Sequence, residues 1–178
     1  MKQITFLRSL PVELDAERYP VYAGPKHAVS LQARTTITPQ MEKPESFAIY
    51  LRIPAWAGPG TQLAVNGKGT SAALKPGTFV PVRQSWKNGD RIEFIVDRPV
   101  RLSSVDPQHP NLVAVLHGPL TLFALGDVPA DLTRTQLLAT EQRGVDEWQM
   151  PTSGQGLKMV PYPAIKKETY RLYLPVKT

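Results

Sequence analysis

The 178-residue sequence contains no cysteine, so disulfides, thiolate metal ligands and a cysteine nucleophile are all excluded within it. Histidine is almost as scarce. His27, His109 and His117 stand alone, with no HxH or HExxH spacing to bring two imidazoles to one metal. No stretch approaches the roughly 18 apolar residues of a membrane-spanning helix. The opening MKQITFLRSLPVELD is interrupted by Arg8 and Pro11 before a signal-peptide core can form. Phosphate-cradling loops of the GxGxxG or Walker kind are missing, and Gly58-Pro59-Gly60 is a proline-broken turn. Ser85, Ser103 and Ser104 lie in no GxSxG elbow. No cofactor and no metal site is expected from these absences. They leave the compartment open: cytoplasmic or, as part of a longer bacterial protein, periplasmic or secreted.

Proline and period-2 alternation are what the chain does have. Its 18 prolines are about twice the average usage of about 5%. Proline fixes φ and cannot donate to a ladder, so this density favours short strands and turns over long helices. In Ser30–Thr38, Leu31, Ala33, Thr35 and Ile37 fall on one face; in Phe47–Ile53, Phe47, Ile49, Leu51 and Ile53 do. Both read as half-buried antiparallel strands. Gln62–Val65 runs into Asn66-Gly67, a type I′ hairpin signal. Thr78–Arg83 and Arg91–Val96 flank Asn88-Gly89-Asp90, which reads as a second turn of the same chemistry. Leu112–Leu116 is apolar throughout and reads as covered on both faces, Gly118-Pro119 breaks it, and Leu120–Leu125 resumes. Asp131–Thr140 suggests a short helix capped by Asp131, residues 141–156 read as polar loop, and Thr169–Leu174 reads as one closing strand.

The expected fold is all-β: an antiparallel β-sandwich, jelly-roll-like, built as two small packed layers. Asp106-Pro107 and His109-Pro110 mark the joint. Residues 1–103 form the first sandwich module and 104–178 a second, smaller β-rich module packed on it.

The net charge of +6 is unevenly placed. Through Ser103 there are fourteen Lys/Arg against eight Asp/Glu; from Ser104 onward seven face seven. The cations (Arg34, Arg52, Arg83, Lys87, Arg91, Arg98, Arg101) are spaced singly along strands, often beside an acid. That is the pattern of a solvated sheet face, and basic charge alone is a weak sign of nucleic acid. Neither nucleic acid nor membrane is expected as a partner.

The order of these motifs resembles the sheet region that accompanies the catalytic barrel in the β-L-arabinofuranosidase-like glycoside hydrolases of family 127. Leu51-Arg52-Ile53-Pro54-Ala55-Trp56 and Val65-Asn66-Gly67 match its first signature, followed by Phe79–Val82, Trp86 and Gly89-Asp90. Val113–Leu116 with Gly118-Pro119-Leu120 comes next, and Pro161–Ile165 with Tyr170–Leu174 resembles the closing strands. His117 stands where such sequences usually carry arginine. The resemblance implies an accessory C-terminal β-sandwich region without its barrel. The cysteine nucleophile and zinc-binding Cys/Glu set of the characterised members have no counterpart in a chain without cysteine, so no catalytic residue carries over.

Chemistry native to this chain is hard to find. A glycosidase needs two carboxylates about 5–10 Å apart, and Glu93, Asp97, Asp106, Asp127, Asp146 and Glu147 show no convergent pair. The aromatics support a binding hypothesis, because the C–H face of a sugar stacks on an exposed ring. The candidates are Trp148, Trp56, Trp86, Tyr50 and Tyr173, with Arg52 on the same strand face as Tyr50. For Trp56 and Trp86, at strand ends beside turns, plugging the core is the favoured alternative role. Three readings are ranked in order. The first is a non-catalytic accessory domain packed on an (α/α) barrel or a homo-oligomer partner. The second is a module binding arabinose-containing plant glycans, with an oligosaccharide as partner. The third is an independent enzyme.

Overall fold

The computed structural model describes residues 12–14, 33–151 and 156–177. The part of the first expected strand before Ala33 lies outside them. The chain divides into two compact units, Met1–Arg98 and Pro99–Thr178. Among the described residues it is nearly all antiparallel β, with one short α-helix.

The first unit contains β1 (Val12–Leu14), β2 (Ala33–Pro39), β3 (Glu45–Arg52), β4 (Gln62–Val65), β5 (Lys68–Gly69), β6 (Phe79–Trp86) and β7 (Ile92–Val96). They form a five-stranded sheet in the order β1-β2-β7-β4-β5 and a separate ribbon, β3-β6. Period-2 alternation decides which side of each is buried. Phe47, Ile49, Leu51, Val80 and Trp86 of the ribbon share one buried cluster with Ile37, Leu63, Ile92, Phe94 and Val96 of the sheet. Each such side chain contributes about 1.5–3 kcal/mol over leaving it in water, so the two layers hold as a sandwich.

Turn chemistry sets the corners. Asn66 and Gly67 both have positive φ, +52° and +77°, as a type I′ hairpin requires, and β4 pairs β5 across them. Asn88-Gly89-Asp90 behaves differently from its sequence reading. Only Gly89 of the three has positive φ, and the strands on either side do not pair with each other: β6 pairs β3, and β7 pairs β2 and β4. The turn is a corner between layers. Its geometry is set by Asp90 N–H donating to Lys87 O at 3.1 Å and Lys87 N–H donating to Asp90 Oδ2 at 2.9 Å.

The second unit contains β8 (Val100–Ser104), β9 (Leu112–His117), β10 (Leu120–Leu125), α1 (Arg134–Leu138), β11 (Glu141–Gly144), β12 (Glu147–Met150), β13 (Leu157–Pro161), a 3₁₀ turn at Tyr162–Ala164, β14 (Tyr170–Arg171) and β15 (Leu174–Pro175). The strands form one sheet, β11-β12-β13-β10-β9-β15, with β8 on β9 and β14 on β10. Its core gathers Val113, Val115, Leu122, Leu132, Leu137, Trp148, Met150, Met159 and Leu174.

Three sequence expectations change here. Residues 141–150 are not loop but two strands of a meander, since Glu147-Trp148-Gln149-Met150 alternates and buries Trp148 and Met150 completely. The short helix is capped by Thr133 instead of Asp131: Thr133 Oγ1 accepts from Gln136 N–H, and Gln136 Oε1 accepts from Thr133 N–H, a reciprocal capping box. The closing strand is two strands. Tyr170–Arg171 pairs β10 and Leu174–Pro175 pairs β9. The bend at 172–173 lets the chain change partner where β9 (Leu112, Val113) and β10 (Ala124, Leu125) no longer pair with each other.

Candidate functional site

The family-like motifs of the first unit turn out to be tied to one another. Asp90 is buried, 5% exposed, and its carboxylate accepts from Asn66 Nδ2 (2.9 Å), Gln84 Nε2 (3.3 Å) and the Lys87 amide (2.9 Å). Asn66 in turn accepts from the Arg91 amide through Oδ1 at 2.9 Å. The Asn-Gly hairpin and the Gly-Asp corner are therefore one network. A buried carboxylate is costly unless its acceptors are filled, and these donors fill them. Asp97 plays a similar part beside the Ile-Pro-Ala-Trp turn, accepting from the Gly60 amide at 2.9 Å. A Cβ at Gly60 would lie 3.0 Å from that carboxylate, so a larger residue there would push the Asp97 side chain aside by a few tenths of an ångström. Both acids are architectural.

The aromatic candidates scatter. Trp86 is fully buried and its Nε1–H donates to Phe47 O at 3.1 Å. Trp148 is also fully buried, with its ring edge-on to His117 at 5.4 Å. Neither indole offers a face to solvent. Trp56 is half-buried against the first core, and Tyr173, 40% exposed, sits in the bend before β15. Only Tyr50 and Arg52 come together, on the outer face of the β3-β6 ribbon.

Register builds the rest of that face. Tyr50 lies opposite Pro81, Arg52 opposite Phe79, and Ala48 opposite Arg83. Residues opposite each other in an antiparallel pair share a face. The ribbon thus presents Tyr50, Arg52, Phe79 and Arg83 outward while its other face enters the core. Arg83 Nη2 donates to Tyr50 Oη at 3.3 Å, and the Arg52 guanidinium lies 5.8 Å from the Phe79 ring centroid. Phe79 remains 57% exposed. Sequence reading missed Phe79 and Arg83, although both were legible as the outward phase of β6 once its partner was known. The second unit holds another aromatic group that sequence reading missed: the exposed Tyr162 and Tyr170 flank the half-buried Phe123, with ring separations of 5.7 and 5.6 Å.

The remaining acids are engaged locally or stand apart. Glu147 pairs with Lys158 at 2.7 Å and Glu141 with Arg143 at 2.6 Å. Asp106 bonds His109, which holds its carboxyl below the ordinary carboxylate value. Among the described residues no three of His, Asp and Glu gather closely enough to hold a metal ion. The ribbon face gathers two guanidinia and two aromatic rings.

Residues 11–98 match the family model described as beta-L-arabinofuranosidase, GH127 middle domain. No curated protein matches the chain. Among solved structures, one described as a glycoside hydrolase aligns at TM-score 0.60 and 20% identity, over 86% of this chain and 32% of its own. A GH127 beta-L-arabinofuranosidase from Geobacillus stearothermophilus T6 aligns at TM-score 0.57 and 20% identity, over 81% of this chain and 28% of its own. A second GH127 beta-arabinofuranosidase aligns at 0.57 and 19%, over 85% and 31%. At such identities the structures establish a shared fold. The chain spans about a third of the length of these solved proteins.

Proposed function

We propose, for a chain that carries a GH127-type middle domain over residues 11–98, that it is a non-catalytic accessory β-sandwich module of a glycoside hydrolase, docked on a catalytic barrel or a partner subunit. The observation that carries this reading is that the likeness falls on sheet modules alone, in a chain with no cysteine. The buried acid Asp90 is spent on turn architecture, which further weakens the case for an independent enzyme. The outward ribbon face supports docking. Phe79, Tyr50 and two arginines form an exposed aromatic and cationic surface, the composition enriched in interface centres.

Glycan binding is the second reading, and the exposed rings of Tyr162 and Tyr170, packed on the half-buried Phe123, favour it. The ranking is tested by the native mass of the gene product in its source cells, measured together with hydrolysis of an aryl arabinofuranoside by the purified chain. The docking reading expects a species well above 19.7 kDa and no turnover by the chain alone. A free 19.7 kDa monomer that cleaves the substrate overturns it. Retention of the chain on an arabinan affinity gel, lost in Tyr162→Ala, would bring the second reading forward.

A further inference from the structure

We infer that the outer face of the five-stranded sheet carries a binding groove for a neutral, hydroxyl-rich small molecule, a saccharide of one or two rings. This goes beyond the docking role and is independent of it. The groove has a volume of ≈ 510 Å³, within the roughly 300–1,000 Å³ of small-molecule sites.

Register places its chemistry. Across β2, β7 and β4, Arg34 lies opposite Ile95 and Ile95 opposite Gln62. In the next row Glu93 lies opposite Ala64, and Ala64 opposite Gly69 of β5. These residues share the face turned away from the Ile37, Leu63, Ile92 and Phe94 core. Arg34 and Glu93 are diagonal neighbours on adjacent strands, and such positions are about 7–8 Å apart. That is within reach of an ion pair for two long side chains, yet no side-chain hydrogen bond or ion pair joins either to a described residue. Arg34 Nε is buried without a hydrogen-bond partner among the described residues. The result is a donor and an acceptor that line the same space.

The charge balance selects the ligand. Among the described residues, Arg34 and Glu93 are the two charged ones lining the groove. A free anion would meet the carboxylate and a free cation the guanidinium, and each loses on one side what it gains on the other. A vicinal diol suits both, because each hydroxyl can accept from Arg34 and donate to Glu93. Gln62 and Thr70 add polar contacts along the rim, while Ala64, Leu74 and Ile95 offer an apolar surface for the C–H face of a ring. Gly69 keeps the floor open: a Cβ there meets nothing within 4 Å.

The test titrates the ¹⁵N-labelled full chain with L-arabinose and with an arabinose disaccharide, using acetate and ethylammonium as charged controls. The expected result is amide shifts confined to Gln62–Thr70 and Ile92–Ile95 with the sugars alone. Gly69→Leu fills the groove without removing any contact and should abolish the shifts while the remaining spectrum is unchanged; Gly69→Ser repeats the block with a smaller side chain. Arg34→Met and Glu93→Gln should each weaken binding by about tenfold, the loss of one charge-assisted hydrogen bond. No shift at sugar concentrations far above millimolar overturns the inference, as do shifts that survive both Gly69 variants. A response to acetate equal to that of the sugars would overturn the neutral-ligand assignment and leave an anion site at Arg34.

Discussion

Each unit buries one tryptophan completely, and the two units treat its N–H differently. In the first, Trp86 Nε1–H donates to Phe47 O on the paired strand. In the second, Trp148 Nε1 has no hydrogen-bond partner among the described residues, and the ring packs in the core against His117. The same contrast appears in two aspartate-closed turns. Asp90 sits in the core rim and collects three donors from separate elements. Asp106 sits at the surface and bonds mainly to His109, three residues on. The first unit closes its polar groups through long-range partners encoded in its turn motifs. In the second, Trp148 rests on apolar fit and Asp106 on a local bond. Arg34 Nε is the exception in the first unit, and it stands beside the groove.

Asp90→Ala offers the most severe way to break this contrast. It strands the Asn66 and Gln84 amides and the Lys87 N–H at once, and a buried donor left unmet costs about 1–3 kcal/mol. A total loss of about 3 kcal/mol is expected in urea unfolding, taking partial exposure of the donors into account. A loss no greater than that of Asp106→Ala would dissolve the distinction between the two turns. The tryptophans sharpen it. Trp86→Phe removes a bonded N–H and leaves Phe47 O unfilled, whereas Trp148→Phe removes an N–H that bonds nothing. The first should cost about 1 kcal/mol more than the second, and equal costs would show that the Trp148 N–H is satisfied in solution.

Smaller effects test the surface. Arg52→Ala and Arg83→Ala, both on the exposed ribbon face, should leave stability within about 0.5 kcal/mol of the parent. In the docking reading they weaken partner association all the same. A large loss of stability would mean the ribbon face belongs to the fold's own packing.

The subtlest effect concerns Asp106. The His109 side-chain hydrogen bond holds its carboxyl below the ordinary 3.8. A depressed carboxyl stabilises the fold above its unfolded pKa, and the contribution is lost as pH falls through the lower folded value. A ¹³C carboxyl titration should therefore find a midpoint below 3.8, moving upward in His109→Ala. No movement would remove His109 as the cause.

Strand faces, turns and family likeness were legible in the sequence because each is a local property. Period 2 assigned Phe47, Ile49 and Leu51 to one side, Asn66-Gly67 declared its turn through φ alone, and the order of short motifs sufficed for the family. The same alternation was present in Glu147–Met150, but polar neighbours and nearby glycine and proline masked it as loop. The site was less legible. Tyr50 and Arg52 were identified; Phe79 and Arg83 were not, because a strand's face can be read without knowing whose face it joins.

Pairing was decided only in three dimensions. Alternation says which side of a strand is apolar and nothing about which strand takes its edge. That choice depends on which arrangement fills every backbone donor and acceptor while closing a shared core. It sent β6 to β3 instead of β7, split the closing segment between β10 and β9, and buried Trp148. It also set Arg34 and Glu93, far apart in the chain, on neighbouring strands over an open groove.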